Sequence, residues 1–506
     1  MSKPIIFVTG ATGGMGMESL KVMIKDGWLY NIRILARDSE KNHKELEPYE
    51  DKENLEIVWG DLTNFEDCKK CVKDAAVVLH IAAFVSPAAD YYPKKAMQAN
   101  YGGTKNLIEA IKAVGQQDTT KFVYIGTVAE TGDRMPPIHW GRVGDPIKPS
   151  MFDYYAVSKV ASERYVIESG LKYWVSLRQT GIIGPAMSEI RDAIQFHNCL
   201  NNVLEYCSDL DSGICMRNLA AFETQGTLDQ SFWGHIYNIG GGPAARTDTY
   251  SMYEYLYGAL GITDLGLILK PREIATLNFH GHYYEDSKKL DDYLHFQNDG
   301  IQYYYDCYLK GLGPVAPAFK AICKLPGGQK LVAGLLNMTF KKFKTGEHGT
   351  VHFIKDNVVD HIDAYWGGKK RWEEQPAELK DFKRWTDWDT VSHLDHGYDE
   401  TKPESELNYE DMKKAVAFRG GELLSDSMTT GDWTTPLTYK CQFGHTFTGS
   451  PRLILEGGHW CDVCERTSWN YGNRAKGDPF FAQVWNPLHG PDETREYPKE
   501  VTELDV

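Results

Sequence analysis

Ile5-Ile6-Phe7-Val8-Thr9-Gly10-Ala11-Thr12-Gly13-Gly14-Met15-Gly16 decides how the rest of the chain is read. Ile5 to Val8 is a short apolar run with the make-up of a buried strand. Leu20, Met23 and Ile24 then recur at helical spacing, and Gly27 closes that helix. The glycines therefore sit between a strand and a helix. Gly10 permits the tight turn, Gly13 lets the backbone approach a pyrophosphate, and Gly16 lets helix and strand pack closely. The helix N-terminus offers free N–H groups and a partial positive charge to phosphate.

The strand–helix rhythm continues outward. Ile32–Leu35, Leu55–Val58, Val77–Ala82, Lys121–Ile125 and Trp174–Leu177 read as five further strands, with helical patterns between them. Such alternation means right-handed crossovers and an α/β, doubly wound parallel sheet. The second strand ends in Ala36 and Arg37, where a dinucleotide's ribose is read. A guanidinium there pairs with a 2′-phosphate, so NADP(H) is favoured over NAD(H), although Asp38 stands one residue away.

Tyr155-Ala156-Val157-Ser158-Lys159 places a phenol and an ammonium one helical turn apart. A free phenol, with a pKa near about 10, is a poor base at neutral pH. A neighbouring Lys⁺ lowers that value, so Tyr155 can exchange a proton with an alcohol or carbonyl oxygen. Tyr154 is five residues from Lys159 and does not share its face.

Further landmarks follow in order: Gly60-Asp61-Leu62, His80-Ile81-Ala82-Ala83, Asn100-Tyr101-Gly102-Gly103-Thr104, Gly126-Thr127, Leu177 to Pro185, and Tyr237 to Gly242. With the glycine loop and Tyr155/Lys159, this ordered set resembles the extended short-chain dehydrogenases/reductases, a group that includes nucleotide-sugar epimerases and 3β-hydroxysteroid dehydrogenases. The resemblance covers about residues 1–300. It implies a Rossmann-type sheet with a smaller substrate domain. It implies that Gly10, Ala11, Thr12, Gly13, Gly14, Met15, Gly16, Arg37, Asp61, Leu62, Ala82, Ala83, Asn100, Tyr155 and Lys159 bind the cofactor. Thr127 then stands in the place of the family's catalytic Ser/Thr and, with Tyr155 and Lys159, completes the catalytic set. Where the family often has Ser-Ser and a following Val-Tyr-Gly, this chain has Gly126-Thr127 and then Glu130-Thr131-Gly132. The hydroxyl survives, and the departure weakens the sugar-nucleotide assignment. Phe84 to Ala89 resembles the 3β-hydroxysteroid dehydrogenase branch instead.

The expected activity is hydride transfer between a nicotinamide cofactor and a secondary alcohol or ketone, with a hydroxysteroid or sterol as the first substrate class. Tyr283, Tyr284, Tyr303, Tyr304, Tyr305 and Tyr308 offer an apolar pocket lining, though most such tyrosines are ordinary half-buried core. The alternative is a nucleotide-sugar epimerase or dehydratase, with Arg217, Arg246 and Arg272 available for a diphosphate. A remoter one is a cofactor-binding scaffold without turnover.

Near the C-terminus, Cys441-x3-His445 and Cys461-x2-Cys464 form two ligand pairs 15 residues apart. They suit one tetrahedral Zn²⁺, resemble a zinc ribbon, and leave no open catalytic position. His459 is a rival to His445. The expected layout is a dinucleotide-binding domain at 1–185, a substrate-binding region at 186–345, an extension at 346–435, the zinc-ribbon-like module at 436–470, and an irregular tail at 471–506.

The 506 residues carry 55 Lys and Arg against 70 Asp and Glu, a net charge of −15 that argues against nucleic-acid partners. No apolar run approaches the roughly 20 residues of a transmembrane helix and no signal peptide is visible, so a cytoplasmic location is expected. A small, hydrophobic substrate is the expected partner, with homo-oligomerisation implied by the resemblance. Residues 311–345 read chiefly as a core-packing helix pair with basic ends, and secondarily as a segment that touches a membrane surface.

Overall fold

Seven parallel strands form the central sheet of the computed structural model, which describes residues 3–501 apart from the side chains of residues 188 and 189. They are β1 (Ile5–Thr9), β2 (Asn31–Ala36), β3 (Leu55–Trp59), β4 (Ala75–His80), β5 (Lys121–Thr127), β6 (Tyr173–Gln179) and β7 (His235–Ile239). Their spatial order is 7-6-5-4-1-2-3, with the chain switching direction between β1 and β4. This is the Rossmann-like doubly wound arrangement, in which ligands bind outside the carboxyl ends of the strands at the switch point. The sheet does not end at residue 185. His235–Ile239 pairs in parallel with Val175–Gln179, so the seventh strand comes from within the 186–345 region.

The strands alternate between two cores. Phe7, Leu35, Val58, Val78, Phe122 and Trp174 face one side, while Ile6, Val8, Ile34, Leu79, Val123 and Leu177 face the other. Helices cover both faces, which is why these strands read as continuous apolar runs. α1 (Gly14–Met23) and α4 (Asp209–Gln225) cover the second face, packed so closely that a Cβ at Gly213 would meet Glu18 backbone at 2.8 Å. α2 (Gly103–Ala113) and α3 (Tyr154–Ile167) cover the first.

The C-terminal third wraps this unit. α5 (Val315–Cys323) and α6 (Gly328–Thr345) form a hairpin, and α7 (Thr350–Lys355) and α8 (Val359–Trp366) follow. The stretch beyond α8 then straps back across the loop after β5. Trp388 carbonyl oxygen accepts from His139 and Trp140, and Arg142 makes a two-pronged pair with Glu400. β8 (Leu437–Lys440) and β9 (Thr446–Gly449) make an antiparallel hairpin, followed by the short helix α9 (Asp462–Thr467). This module shares a core with the main sheet: Tyr439, Phe447, Leu453, Trp460 and Cys461 lie in one cluster with Val166, Ile167 and Phe122.

The expected irregular tail forms two helices and a short strand over residues 471–498; residues 502–506 lie outside the described residues. α10 (Tyr471–Gly477) and α11 (Pro479–Trp485) carry Phe481, Val484 and Trp485 into a core with Met97, Met151 and Tyr154. The short apolar run 479–485 is capped by Asp478, whose side chain accepts from the Phe481 N–H, and Pro479 stands at the first helical position. A chain ending at residue 470 is therefore expected to lose several kcal/mol, since Phe481, Val484 and Trp485 each contribute about 1.5–3 kcal/mol by burial. Denaturant unfolding of the two lengths checks this, and equal midpoints would refute it.

Candidate functional site

The glycine loop opens at the carboxyl end of β1. Gly10 has φ +74°, and a Cβ there would sit 2.8 Å from the backbone of Ala82. A Cβ on Gly16 would collide with the Gly10 carbonyl oxygen. Gly14 faces open space, and Gly13 caps α1 without any side-chain hydrogen bond. The close-packed glycines thus hold the turn and the exposed ones leave a cradle before the α1 N-terminus, which fits a pyrophosphate. Ala11 and Met15 turn their side chains into the core, while Thr12 stays partly exposed.

Around this cradle stand the other cofactor candidates. Arg37 lies exposed at the tip of β2, and its guanidinium makes no ion pair among the described residues. Asp38 is held by His43 at 2.8 Å. Asp61 accepts from the Thr63 N–H and hydroxyl, both at 2.8 Å, and Leu62 packs beneath Gly103. Ala82 N–H donates to Thr9 Oγ1 at 3.1 Å, and Ala83 is exposed beside it. Asn100 differs from expectation, because its amide is fully engaged by protein. It donates to the Phe84 carbonyl and to Ser158 Oγ, and accepts from the Phe84 N–H. It fixes the β4 end against α3. A buried chain reinforces that link: Thr9 to His80, His80 to Thr104, and Thr104 to the Asn100 carbonyl. Burial pushes His80 down to about 3, so it serves as a neutral linker.

β5 and α3 bring the catalytic candidates together. Burial raises the Tyr155 phenol above its ordinary range, and the Thr127 hydroxyl, hydrogen-bonded to it, pulls the other way. Lys159 donates to the Ile125 carbonyl at 2.5 Å and lies 4.2 Å from the Tyr124 ring centroid. Burial pushes its ammonium down to about 8, against the pull of Glu130 and Glu163. The expectation that Lys159 would hold the phenol low is thus not met in this state. Desolvation outweighs it, and Glu130, Asp153 and Asp90 add to the rise.

A buried ionic cluster underlies these residues. Arg178 on β6 donates from Nη2 to Glu163 Oε2 at 2.6 Å and to the Gly457 carbonyl at 2.6 Å. Its Nε donates to Glu163 Oε1 at 3.0 Å and stands 3.3 Å from Glu130 Oε2. Glu130 Oε1 accepts the Thr127 N–H at 3.0 Å, and His459 Nε2 meets Glu163 Oε2 at 3.0 Å. Burial works against the Glu163 charge, yet Arg178 and His459 hold that carboxyl below its usual range. Burial and Glu163 together raise Glu130. The role of this cluster was missed in the sequence. The available signal was Glu163, one turn beyond Lys159 on the face of Tyr155.

The C-terminal cysteines converge. His445 Nδ1 lies 3.3 Å from Cys464 Sγ, 3.5 Å from Cys441 Sγ and 3.7 Å from Cys461 Sγ; the Cys441 and Cys464 sulfurs are 3.9 Å apart. Bonds of about 2.3 Å to sulfur and about 2.0 Å to nitrogen around a tetrahedral ion give edges of this size. The donor set therefore fits a zinc ion. A hydrogen bond between Cys461 and Cys464 draws the Cys461 thiol down and pushes the Cys464 thiol up. His459 is committed to Glu163 and Glu465 and is not a fifth donor.

A cavity of about 510 Å³ is lined by Asp153 and Tyr154, the two residues before Tyr155, while Tyr155 itself is not in its wall. Its rim includes Asp90, whose carboxylate accepts the Tyr155 N–H at 3.1 Å. Burial and Asp153 push Asp90 up to about 8. The rest of the wall mixes aromatic rings and imidazoles, such as Phe152, Phe279, His348, Phe353, His361 and Tyr365, with aliphatic and polar groups that include Glu347 and Glu500. His348, Phe353, His361 and Tyr365 come from the extension, for which the sequence had suggested no role. The tyrosines at 283–308 are elsewhere. Tyr283 and Tyr284 pair with Trp140 and Gly141, and Tyr305 stacks on Tyr255 at 3.6 Å within a separate core. Among the described residues, no lysine or arginine lines the cavity. Arg217 pairs with Asp26, Arg246 with Glu205, and Arg272 donates to the Glu373 and Gln375 carbonyls.

Residues 6–207 match the model of the NAD dependent epimerase/dehydratase family. The chain is 33% identical over 126 residues to the uncharacterized membrane protein MJ1061 of Methanocaldococcus jannaschii, covering 24% of this chain and 35% of that protein. It is 26% identical over 208 residues to a 3-beta-hydroxysteroid dehydrogenase of Mycolicibacterium neoaurum, covering 39% of this chain and 52% of the relative. The chain thus spans about a third and about half of these two relatives. Among solved structures, DesIV, a dTDP-glucose 4,6-dehydratase of Streptomyces venezuelae with NAD and TYD bound, aligns with a TM-score of 0.48 at 19% identity. That alignment covers 61% of this chain and 98% of DesIV.

Arg178→Met is expected to cost about 3–5 kcal/mol, because it strands Glu163 as a buried charge. Urea unfolding measures the loss, and a change under about 1 kcal/mol would refute the clamp. The purified chain is expected to hold one zinc by elemental analysis, and Cys461→Ser to lose it together with thermal stability. A wild-type chain that binds no metal yet melts like a chelator-treated one would refute the metal centre.

Proposed function

We propose that this chain, whose residues 6–207 form a domain of the NAD dependent epimerase/dehydratase family, is an NAD(P)-dependent oxidoreductase acting on a secondary alcohol or ketone. The observation that carries this is the hydrogen bond between the Tyr155 phenol and the Thr127 hydroxyl, made where α3 meets the end of β5. A bound nicotinamide cofactor would supply or accept the hydride. Gly13 and Gly14 with the α1 N-terminus would hold its pyrophosphate, Asp61 and Leu62 its adenine, and Lys159 its ribose hydroxyls.

Thr127 and Tyr155 orient the substrate oxygen. With its pKa raised, the phenol keeps its proton throughout the neutral range, the form that donates to a carbonyl oxygen during reduction. Glu130 fixes the Thr127 backbone, so the hydroxyl is positioned from beneath.

The substrate class is a hydroxysteroid or sterol. A cavity of about 510 Å³ falls within the roughly 300–1,000 Å³ of small-molecule sites, and its wall is rich in rings. A nucleotide sugar carries a diphosphate that calls for a cation, and the three arginines suggested for that task have other partners. The unpaired Arg37 and the His43-bound Asp38 favour NADP(H). The Cys441/His445/Cys461/Cys464 set holds a structural zinc, since four protein ligands leave no open position.

Cofactor reduction at 340 nm with 3-hydroxysteroids, sterols and other secondary alcohols tests the activity. Tyr155→Phe is expected to lower kcat by at least about 100-fold. Arg37→Ala is expected to raise KM for NADP⁺ by about 10–100-fold with kcat unchanged. No turnover with any alcohol would remove the oxidoreductase reading. Conversion of a sugar nucleotide, followed by product analysis, would replace the substrate class.

A further inference from the structure

Lys310 to Thr345 contains seven lysines and no aspartate or glutamate, within a chain of net charge −15. Six of these lysines lie in the α5–α6 hairpin and Lys310 in the helix before it. The hairpin's inner face is ordinary core: Cys323, Val332 and Ala333 are buried, and Phe319, Ile322, Leu336, Phe340 and Phe343 pack onto Leu265, Ile268 and Phe196. The outer face is also apolar. Val315, Leu325, Leu331, Leu335 and Met338 account for five of the fourteen exposed large apolar side chains among the described residues. Leu331 is 59% exposed, Met338 67% and Leu325, in the turn, 63%.

On α6, Leu331, Leu335 and Met338 fall within about 60° of arc at 3.6 residues per turn, so they form one stripe along the helix. Lys330 and Lys341 line one side of it, Lys342 continues its line, and Lys320 and Lys324 lie on the neighbouring helix and turn. Lys344 is committed inward, to Glu273 at 2.5 Å. The other six ammonium groups pair with no carboxylate among the described residues.

We infer that this hairpin docks on an anionic lipid surface, with the stripe entering the acyl boundary and the lysines meeting headgroups. An exposed apolar row rimmed by lysine is the pattern of an interfacial helix, and each lysine near an anionic leaflet contributes about fivefold in affinity. A second copy of the chain would bring the hairpin's five unpaired ammonium groups against five more, so charge opposes self-association through this face. No helix of the described residues is long and apolar enough to cross a membrane, so the hairpin lies on the surface and does not span it. α6 leads directly to Glu347 and His348, both in the cavity wall, which places the substrate cavity next to the docked face.

Co-sedimentation of the full chain with vesicles tests this. Binding is expected to phosphatidylcholine vesicles containing phosphatidylserine, weak binding to phosphatidylcholine alone, and release at high salt. Leu331→Glu/Met338→Glu is expected to abolish binding while the melting temperature is kept. Lys330→Ala/Lys341→Ala is expected to weaken it by about 25-fold. Failure to bind phosphatidylserine vesicles at low salt would overturn the inference, as would binding that both variants retain. So would sedimentation velocity showing that the stripe holds two copies of the chain together. None of these outcomes depends on which substrate the enzyme turns over.

Discussion

Arg178 carries a full charge into the side of a parallel sheet, and much of the molecule is arranged to receive it. A single buried guanidinium is costly unless every donor finds an acceptor. Here the acceptors come from distant parts of the chain: Glu163 from α3, Glu130 from the turn after β5, and the Gly457 carbonyl from the C-terminal arm. His459 completes the circle on Glu163. The cluster fixes α3 to the strand that bears Thr127, and ties the cysteine module to both. The arm comes this close because residues 457 and 458 are glycines; a Cβ on Gly458, where φ is +70°, would collide with the Asp145 carbonyl.

The same cluster explains why one site has three levels. Thr127 and Tyr155 face the reacting oxygen in the proposed reaction. Glu130, Arg178 and Glu163 lie beneath them and set their positions. Beyond those, Arg164 and Glu465 pair at 3.0 Å on the α3 side of the cysteine knuckle, and Trp460 N–H donates to Glu465 at 2.6 Å. A metal at the four donors would lock Cys461 and Cys464, and through Glu465 the edge of α3. That arrangement makes the module part of the scaffold that holds α3 and β5, and not an appended domain.

Local pattern made the glycine loop, the parallel strands and Tyr155/Lys159 legible in the sequence, because each depends on neighbours within one turn or one strand. The cysteine pairs were legible for the same reason, since ligand spacing is local even when the knuckles are far apart. Long-range partnership hid the rest. Nothing near Arg178 announces Glu163, and nothing near His348 or His361 announces the cavity they wall. The tail was misread because α10 and α11 are short and punctuated by Gly477, Asp478 and Pro479, yet they are stabilised by Phe481 and Trp485 entering a core contributed by residues 97–154. The tyrosines at 283–308 gave a false signal, since aromatic crowding marks a core more often than a pocket.

Gly457 and His459 lie 279 and 296 residues beyond the charged groups they satisfy. Synthesis at roughly 5–20 residues per second separates Glu163 from His459 by about 15–60 s. For that interval the nascent sheet can form, but its buried charges lack their last partners and the catalytic helix lacks its cover. The cradle for the cofactor is thus among the first parts of the molecule to be made, and the clamp that steadies Thr127 is among the last. A ribosome that stops early releases a chain with a glycine cradle but without a finished active site.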